Sequence, residues 1–251
     1  MHRLPVSGVN IAIRLPDGAD ELALHEAEGS SVAVALSLLA RLVRPGSGEA
    51  TDWGWLTITD FEWLVALLRR RTLGPVLQCG FACPHADCGE RVELSLAIDA
   101  YLAPVRPSWP RGVEAIPGRD GWFRLSDASF RLPTVADQIV ALHRRDGSRL
   151  LALRCIEAEP ALRGRVERAM AAMAPEVSRP IAGTCPACNT DVQAGLHLPT
   201  LVMAELRGAA YSVLNDVHQI ASAYGWNETT ILALPGSRRQ DYVRRIRGLA
   251  A

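Results

Sequence analysis

The stretch "GTCPACNTDVQAGLHLP", residues 183–199, holds two cysteines two residues apart and then a strand-like alternation at Val192, Ala194, Leu196 and Leu198. A second stretch, "CPHADCGERVELSLAID" (residues 83–99), runs in the same phase. Cys83 and Cys185 are each followed by proline, and Val92 and Val192 each lie four residues beyond the second cysteine. Two cysteine knuckles that run straight into alternating strands have the grammar of a zinc ribbon. Zn²⁺ takes four soft ligands in a tetrahedron, and short C-x2–4-C spacing turns two sulfurs onto one ion. Cys83, Cys88, Cys185 and Cys188 are therefore the candidate ligands of a structural Zn²⁺. Because residues 89–184 separate the knuckles, the ribbon is split.

Other assignments remain open at this stage. Cys79 lies four residues before Cys83 and competes for the first pair, and His85 sits inside the knuckle and could replace a thiolate. Cys79 alternates with Leu77 and Phe81 as a strand residue would, and Gly89 closes the turn after Cys88. "CPAC" also looks like a thioredoxin-type dithiol, but such dithiols follow a strand and open a helix, whose N-terminus lowers the thiol pKa. Here a strand follows. The cysteines could also be small core residues without metal, as Cys155 is expected to be in "LLALRCIEA".

Working outward, residues 9–15 read as a strand ending in the turn "PDG". Ser30 caps a helix over 31–44 with Val32, Leu36, Leu39 and Val43 on one stripe. Thr59 and Glu62 form a capping-box pattern ahead of a helix striped by Phe61, Leu64, Val65 and Leu68. Residues 104–130, rich in Pro, Gly and Trp, look irregular. Thr134 with Asp137 opens a helical stretch that continues to two helices parted near Pro160. A long helix is expected from about Thr200 to Tyr224. Asn227 caps a further helix that Pro235 ends, and Ser237 with Gln240 starts the last one, whose apolar face is Tyr242, Ile246 and Leu249. The expected fold is α+β: an N-terminal strand and helices (1–75), a split zinc ribbon with an inserted helical layer (76–198, insertion about 104–176), and a long helix with a C-terminal helical arm (199–251).

The 251 residues are 49% hydrophobic and 22% charged, ordinary for a globular chain with a real core. The 27 basic and 27 acidic residues cancel, so no global field argues for nucleic acid or an anionic membrane. All the basic residues are Arg, as a GC-rich coding bias would produce. The N-terminus lacks the apolar core of a signal peptide, and the greasiest stretch, "SVAVALSLLARLV", is shorter than the ~20 residues needed to span a bilayer. A cytoplasmic, soluble protein is expected. There is no nucleotide-binding glycine loop, no nucleophile elbow and no H-E-x-x-H. His218 beside Asp216 reads as an ordinary helix histidine. Asp216, Glu228 and Asp241 do not group in a way that names a reaction.

The C-terminal run "LNDVHQIASAYGWNETTILALPGSRRQDYVRRI" combines an aromatic-Gly-Trp turn, an Asn-Glu cap, "ILALP", a paired Arg and a Tyr. With "CPACNTDVQAGLHLPTLVMAELRGAAYSVLNDVH" before it and "GVNIAIRLPDGADELALHEAEG" near the start, it resembles the baseplate hub assembly family of contractile-tailed phages and phage-tail-like contractile injection systems. The resemblance implies a non-enzymatic protein that assembles a baseplate or tail hub and binds baseplate or hub proteins. Trp226, Ile231, Leu234, Arg238, Arg239 and Tyr242 match its C-terminal motif and are the candidate partner-binding residues; the four knuckle cysteines match its metal positions. The rival readings are a nucleic-acid-binding zinc-ribbon protein and a CxxC thiol oxidoreductase.

Overall fold

The computed structural model describes residues 1–46 and 52–248. It is an α+β fold with small antiparallel sheets. Strands β1 (His2–Arg3), β2 (Asn10–Ile13) and β3 (Val43–Pro45) form one sheet in that order, with α1 (Gly18–Glu26) and α2 (Ser31–Leu42) between β2 and β3. Helix α3 (Ile58–Leu73), the hairpin β4 (Val76–Ala82) and β5 (Arg91–Ala97), and α4 (Ile98–Leu102) follow. A four-stranded sheet comes next: β6 (Val113–Ala115), β7 (Trp122–Leu125), β8 (Ala128–Arg131) and β9 (Ile156–Glu157), with α5 (Val135–Leu142) and α6 (Gly147–Cys155) between β8 and β9. The chain continues through α7 (Pro160–Met173), the hairpin β10 (Ile181–Thr184) and β11 (Asp191–Ala194), and α8 (Leu198–Ala210). It ends in α9 (Val213–Tyr224), α10 (Glu228–Leu232) and α11 (Gly236–Ile246).

Several expected caps form. Ser30 Oγ accepts from the Ala33 amide, Thr134 and Asp137 make a reciprocal capping box, and the Asn227 side chain accepts from the Thr230 amide. Phe61, Leu64, Val65 and Leu68 are fully buried in the main core.

Other expectations are corrected. The helix from Ser30 ends at Leu42, because Val43 turns extended and pairs with Ile13. The cap of α3 is Thr57, whose Oγ1 accepts from the Asp60 amide; Thr59 instead donates to the Pro175 carbonyl, and Glu62 accepts from the Ser178 amide. Residues 104–130 are not irregular, since they supply β6, β7 and most of β8, so the insertion holds a sheet as well as helices. The helix expected over 200–224 is two helices, broken at Tyr211 and Ser212. Their apolar stripes serve different cores: Val202, Met203 and Leu206 join the main one, Ile220 a small one with Ile231 and Val243. Pro235, not Ser237, precedes α11, and the Gln240 amide donates to Asp216. Leu249 lies outside the described residues.

One local construction occurs twice. Residues 14–20 and 131–137 both read R-L-P-x-x-A-D. At each, a strand runs into a helix whose N-cap is Asp17 or Thr134, and Asp20 or Asp137 closes the capping box. The arginine six residues earlier forks onto the carboxylate: Arg14 onto Asp20 at 2.5 and 2.9 Å, Arg131 onto Asp137 at 2.5 and 2.8 Å. A second arginine, Arg41 or Arg154, donates through Nε at 2.8 Å in both. Both aspartates are buried. Burial alone would raise these carboxyls, but the guanidinium hydrogen bonds outweigh it and hold both below the ordinary value.

The succession around each motif also matches. β1–β2–α1–α2–β3–α3–hairpin–α4 is followed by β7–β8–α5–α6–β9–α7–hairpin–α8, with sheet orders β1-β2-β3 and β7-β8-β9. Apart from the extra edge strand β6 and a one-turn helix at Trp53–Trp55, the chain thus traverses one module twice. Helices α9, α10 and α11 have no counterpart in the first module.

Candidate metal centre

Each module contributes one hairpin tip. Beyond the last paired residues of β4 and β5, the Cys83 amide donates to the Glu90 carbonyl at 2.7 Å, and the Cys88 amide to the His85 carbonyl at 3.0 Å. Beyond β10 and β11, the Cys185 amide donates to the Thr190 carbonyl at 3.0 Å, and the Asn189 amide to the Cys185 carbonyl at 2.9 Å. The residue after the second cysteine is left-handed in both tips: Gly89 at φ +61° and Asn189 at φ +56°. Those are the two residue types that adopt this conformation most readily. The turn brings the chain back into the strand while both sulfurs of a knuckle face the same way.

The four sulfurs meet. Cys83 Sγ lies 3.7 Å from Cys188 Sγ, and Cys88 Sγ lies 3.8 Å from Cys185 Sγ; all four fall within 4.8 Å of one another. Sulfurs at ~2.3 Å from a tetrahedral Zn²⁺ stand about 3.8 Å apart. Spacing and donor type therefore both fit a metal of that kind. Exchanging the two modules maps the pair Cys83–Cys188 onto Cys185–Cys88, so the site treats its two halves alike. Cys83 and Cys185 are buried on Val92 and Val192, and Cys88 and Cys188 are half-buried at the rim.

The thiols are uneven. The His85 backbone favours the Cys83 thiolate, but burial and the facing thiols outweigh it and push Cys83 up to about 12. Cys88 is raised as well: burial and the facing thiols of Cys188 and Cys185 outweigh the Glu90 backbone. Cys188, favoured by the Thr190 hydroxyl and backbone, is brought down to about 6. A bound cation reverses this logic, because it stabilises every coordinating thiolate. All six cysteines are free thiols.

Cys79 is buried in the main core on β4, away from the cluster, with its thiol raised by that burial. The cluster is made of the four cysteines alone among the described residues, and His85 is exposed. Cys155 is a core residue of the second module, its thiol pushed up to about 11 by burial. His218 is exposed, whereas Asp216 is buried.

The candidate partner-binding residues split into two groups. Ile231 (0% exposed) and Arg239 (1%) are buried within the chain. Arg239 donates to Glu21 of α1 and, at 2.6 Å, to the Leu234 carbonyl, while its Nε lies 3.8 Å from Asp216 with no hydrogen-bond partner. Burial raises the Glu21 and Asp216 carboxyls against the pull of Arg239. Arg238 is exposed, and Trp226, Leu234 and Tyr242 are half-buried. Tyr224 stands beside them, 5.5 Å from Trp226 and 5.7 Å from Tyr242 between ring centres. Sequence reasoning missed Tyr224, which closes α9 just ahead of the named residues. It also missed Arg14, Asp20 and Arg41 and their counterparts, although the repeated R-L-P-x-x-A-D was the signal for them.

Comparison with protein-family models, curated proteins and solved structures finds no match to the chain. Among the described residues, no helix is long and apolar enough to cross a membrane.

Proposed function

We propose that Cys83, Cys88, Cys185 and Cys188 hold one structural Zn²⁺ in a split zinc ribbon, and that the protein is a non-enzymatic scaffold in the assembly of a contractile-tail baseplate or hub. The observation that carries the metal reading is the approach of four sulfurs, drawn from two distant hairpins, to within 4.8 Å of one another. Bound zinc would supply folding free energy, of order 10 kcal/mol for sites of this type, and would tie the two modules together. Among the described residues no His, Asp or Glu joins the four cysteines, and a set of four thiolates is the closed kind of site that serves structure. The chain's own residues do the rest: Gly89 and Asn189 aim the knuckles, and Val92 and Val192 keep water from their buried side.

The partner class rests on the resemblance of the C-terminal run to baseplate hub assembly proteins. The arm is then the element that engages tail proteins, through Trp226, Arg238 and Tyr242. Two measurements test the reading: zinc content of protein purified without added metal, and co-purification with purified baseplate or hub proteins before and after Trp226→Ala and Tyr242→Ala. Retention of one zinc and loss of the complex in the variants is the expected pair of results. An intact complex in both variants removes the arm from the interface.

A further inference from the structure

The C-terminal arm, α9 to α11, lies outside the duplicated framework. It is fixed from beneath. Arg239 reaches Glu21 on α1, and Gly18 lets it come close, since a Cβ there would stand 2.6 Å from Arg239 Nη1. Ile220, Ile231 and Val243 form a small dry core between α9, α10 and α11. The outward face is built differently. Tyr224, Trp226 and Tyr242 pack as a three-ring cluster with centres 5.1–5.7 Å apart. Arg238, Tyr242 and Arg245 follow at helical spacing on one stripe of α11. With Tyr224 and Asp241 they line a cavity of about 420 Å³.

Charge on this face is unbalanced. Asp241 is taken by Arg244, and Arg247 donates to Gln219. Among the described residues, neither Arg238 nor Arg245 has a carboxylate in salt-bridge range, and both are exposed. We infer that this face docks an acidic peptide segment of a partner protein, with carboxylates on Arg238 and Arg245 and an apolar side chain against the exposed ring of Tyr224 (44%). The inference rests on the assembly-scaffold reading and names the chemistry of the partner. A single-stranded nucleic acid fits less well. It needs successive open ring faces for its bases, but Tyr242 meets Tyr224 and Trp226 edge-on at 71° and 77°. Of the three rings Tyr224 alone is exposed, and Trp226 and Tyr242 are half-buried.

The test uses full-length protein as purified, with fluorescence anisotropy of three labelled probes: a peptide of alternating glutamate and leucine, its lysine counterpart, and a single-stranded oligonucleotide. The acidic peptide binds, more weakly as salt rises, and the lysine peptide does not. Arg238→Glu with Arg245→Glu lowers its affinity at least about tenfold while zinc content and melting temperature stay at wild-type values. Arg238→Gln with Arg245→Gln gives the same loss if charge reversal disturbs the fold. Absence of acidic-peptide binding, equal binding of both peptides, or tighter binding of the oligonucleotide overturns the inference. Zinc-loaded protein that ignores the acidic peptide removes only this surface; zinc-free protein that binds it removes only the metal reading.

Discussion

Asp20 and Asp137 sit in matching networks, yet the residue two places before each faces a different world. In the first module that residue is Gly18, pressed against Leu232 and Arg239 of the arm, where a Cβ would stand 2.8 Å from the Leu232 carbonyl oxygen. In the second it is Val135, fully buried in the main core, its amide on the Leu56 carbonyl at 2.9 Å. Leu15 is exposed while its counterpart Leu132 is buried. The modules share what fixes their own strand-to-helix turn and differ at these positions, where each packs on a different neighbour. A local motif can thus be kept twice in one chain while the packing around it diverges.

The largest effect tests whether the modules contribute equally to the metal. Cys83→Ser and Cys185→Ser are expected to cause the same loss: no retained zinc, and a melting transition lowered by many degrees or split in two. Calorimetry with metal analysis checks this, and zinc lost from one variant only breaks the symmetry. Next, Asp20→Asn and Asp137→Asn each leave two arginines facing a neutral amide. Breaking a buried ion pair costs ~3–5 kcal/mol, less where the partner is solvated. We expect about 2–3 kcal/mol in urea unfolding, more for Asp137, because Arg131 is better covered than Arg14.

Position 18 against position 135 gives a smaller and more discriminating contrast. Gly18→Ala is expected to cost about 1–3 kcal/mol by overpacking and to raise amide exchange in α10 and α11 alone. Val135→Ala, which leaves a cavity, is expected to cost about 2 kcal/mol and to spare the arm. Exchange that rises equally in both variants would erase the distinction. The smallest effect is in acid. Both aspartates are depressed in the folded state, so between those values and pH ~4 the unfolded chain binds more protons and stability rises with pH. Their contribution is present at neutral pH and is lost as pH falls through the depressed values. Asp20→Asn with Asp137→Asn should flatten this acid limb in pH-dependent urea titrations; an unchanged slope would mean that the networks do not carry it.

The knuckles were legible because their chemistry is local: four cysteines, two prolines and a shared strand phase. Ser30, Thr134 and Asn227 were legible as caps for the same reason, as one side chain at a fixed offset suffices. Thr57 and Thr59 show where that stops. Each has an acid three residues on, and what separates them is Pro175 and Ser178, which claim Thr59 and Glu62 from far along the chain. Strands of three or four residues, such as Val113–Ala115, are too short to display an alternation. The break at Tyr211 hid inside an unbroken helical periodicity, because two cores, not one, receive it. The repeated module escaped because its identity is confined to two short stretches, the knuckles and a seven-residue motif with five residues shared, which lie far apart in the chain.

Elemental mass spectrometry on protein purified without added metal tests the central claim most directly. One zinc per chain, released only as the protein unfolds, is the predicted result, with the two modules joined through their four cysteines. A metal-free protein in which Cys185 and Cys188 oxidise readily to a disulfide while the fold persists would contradict it.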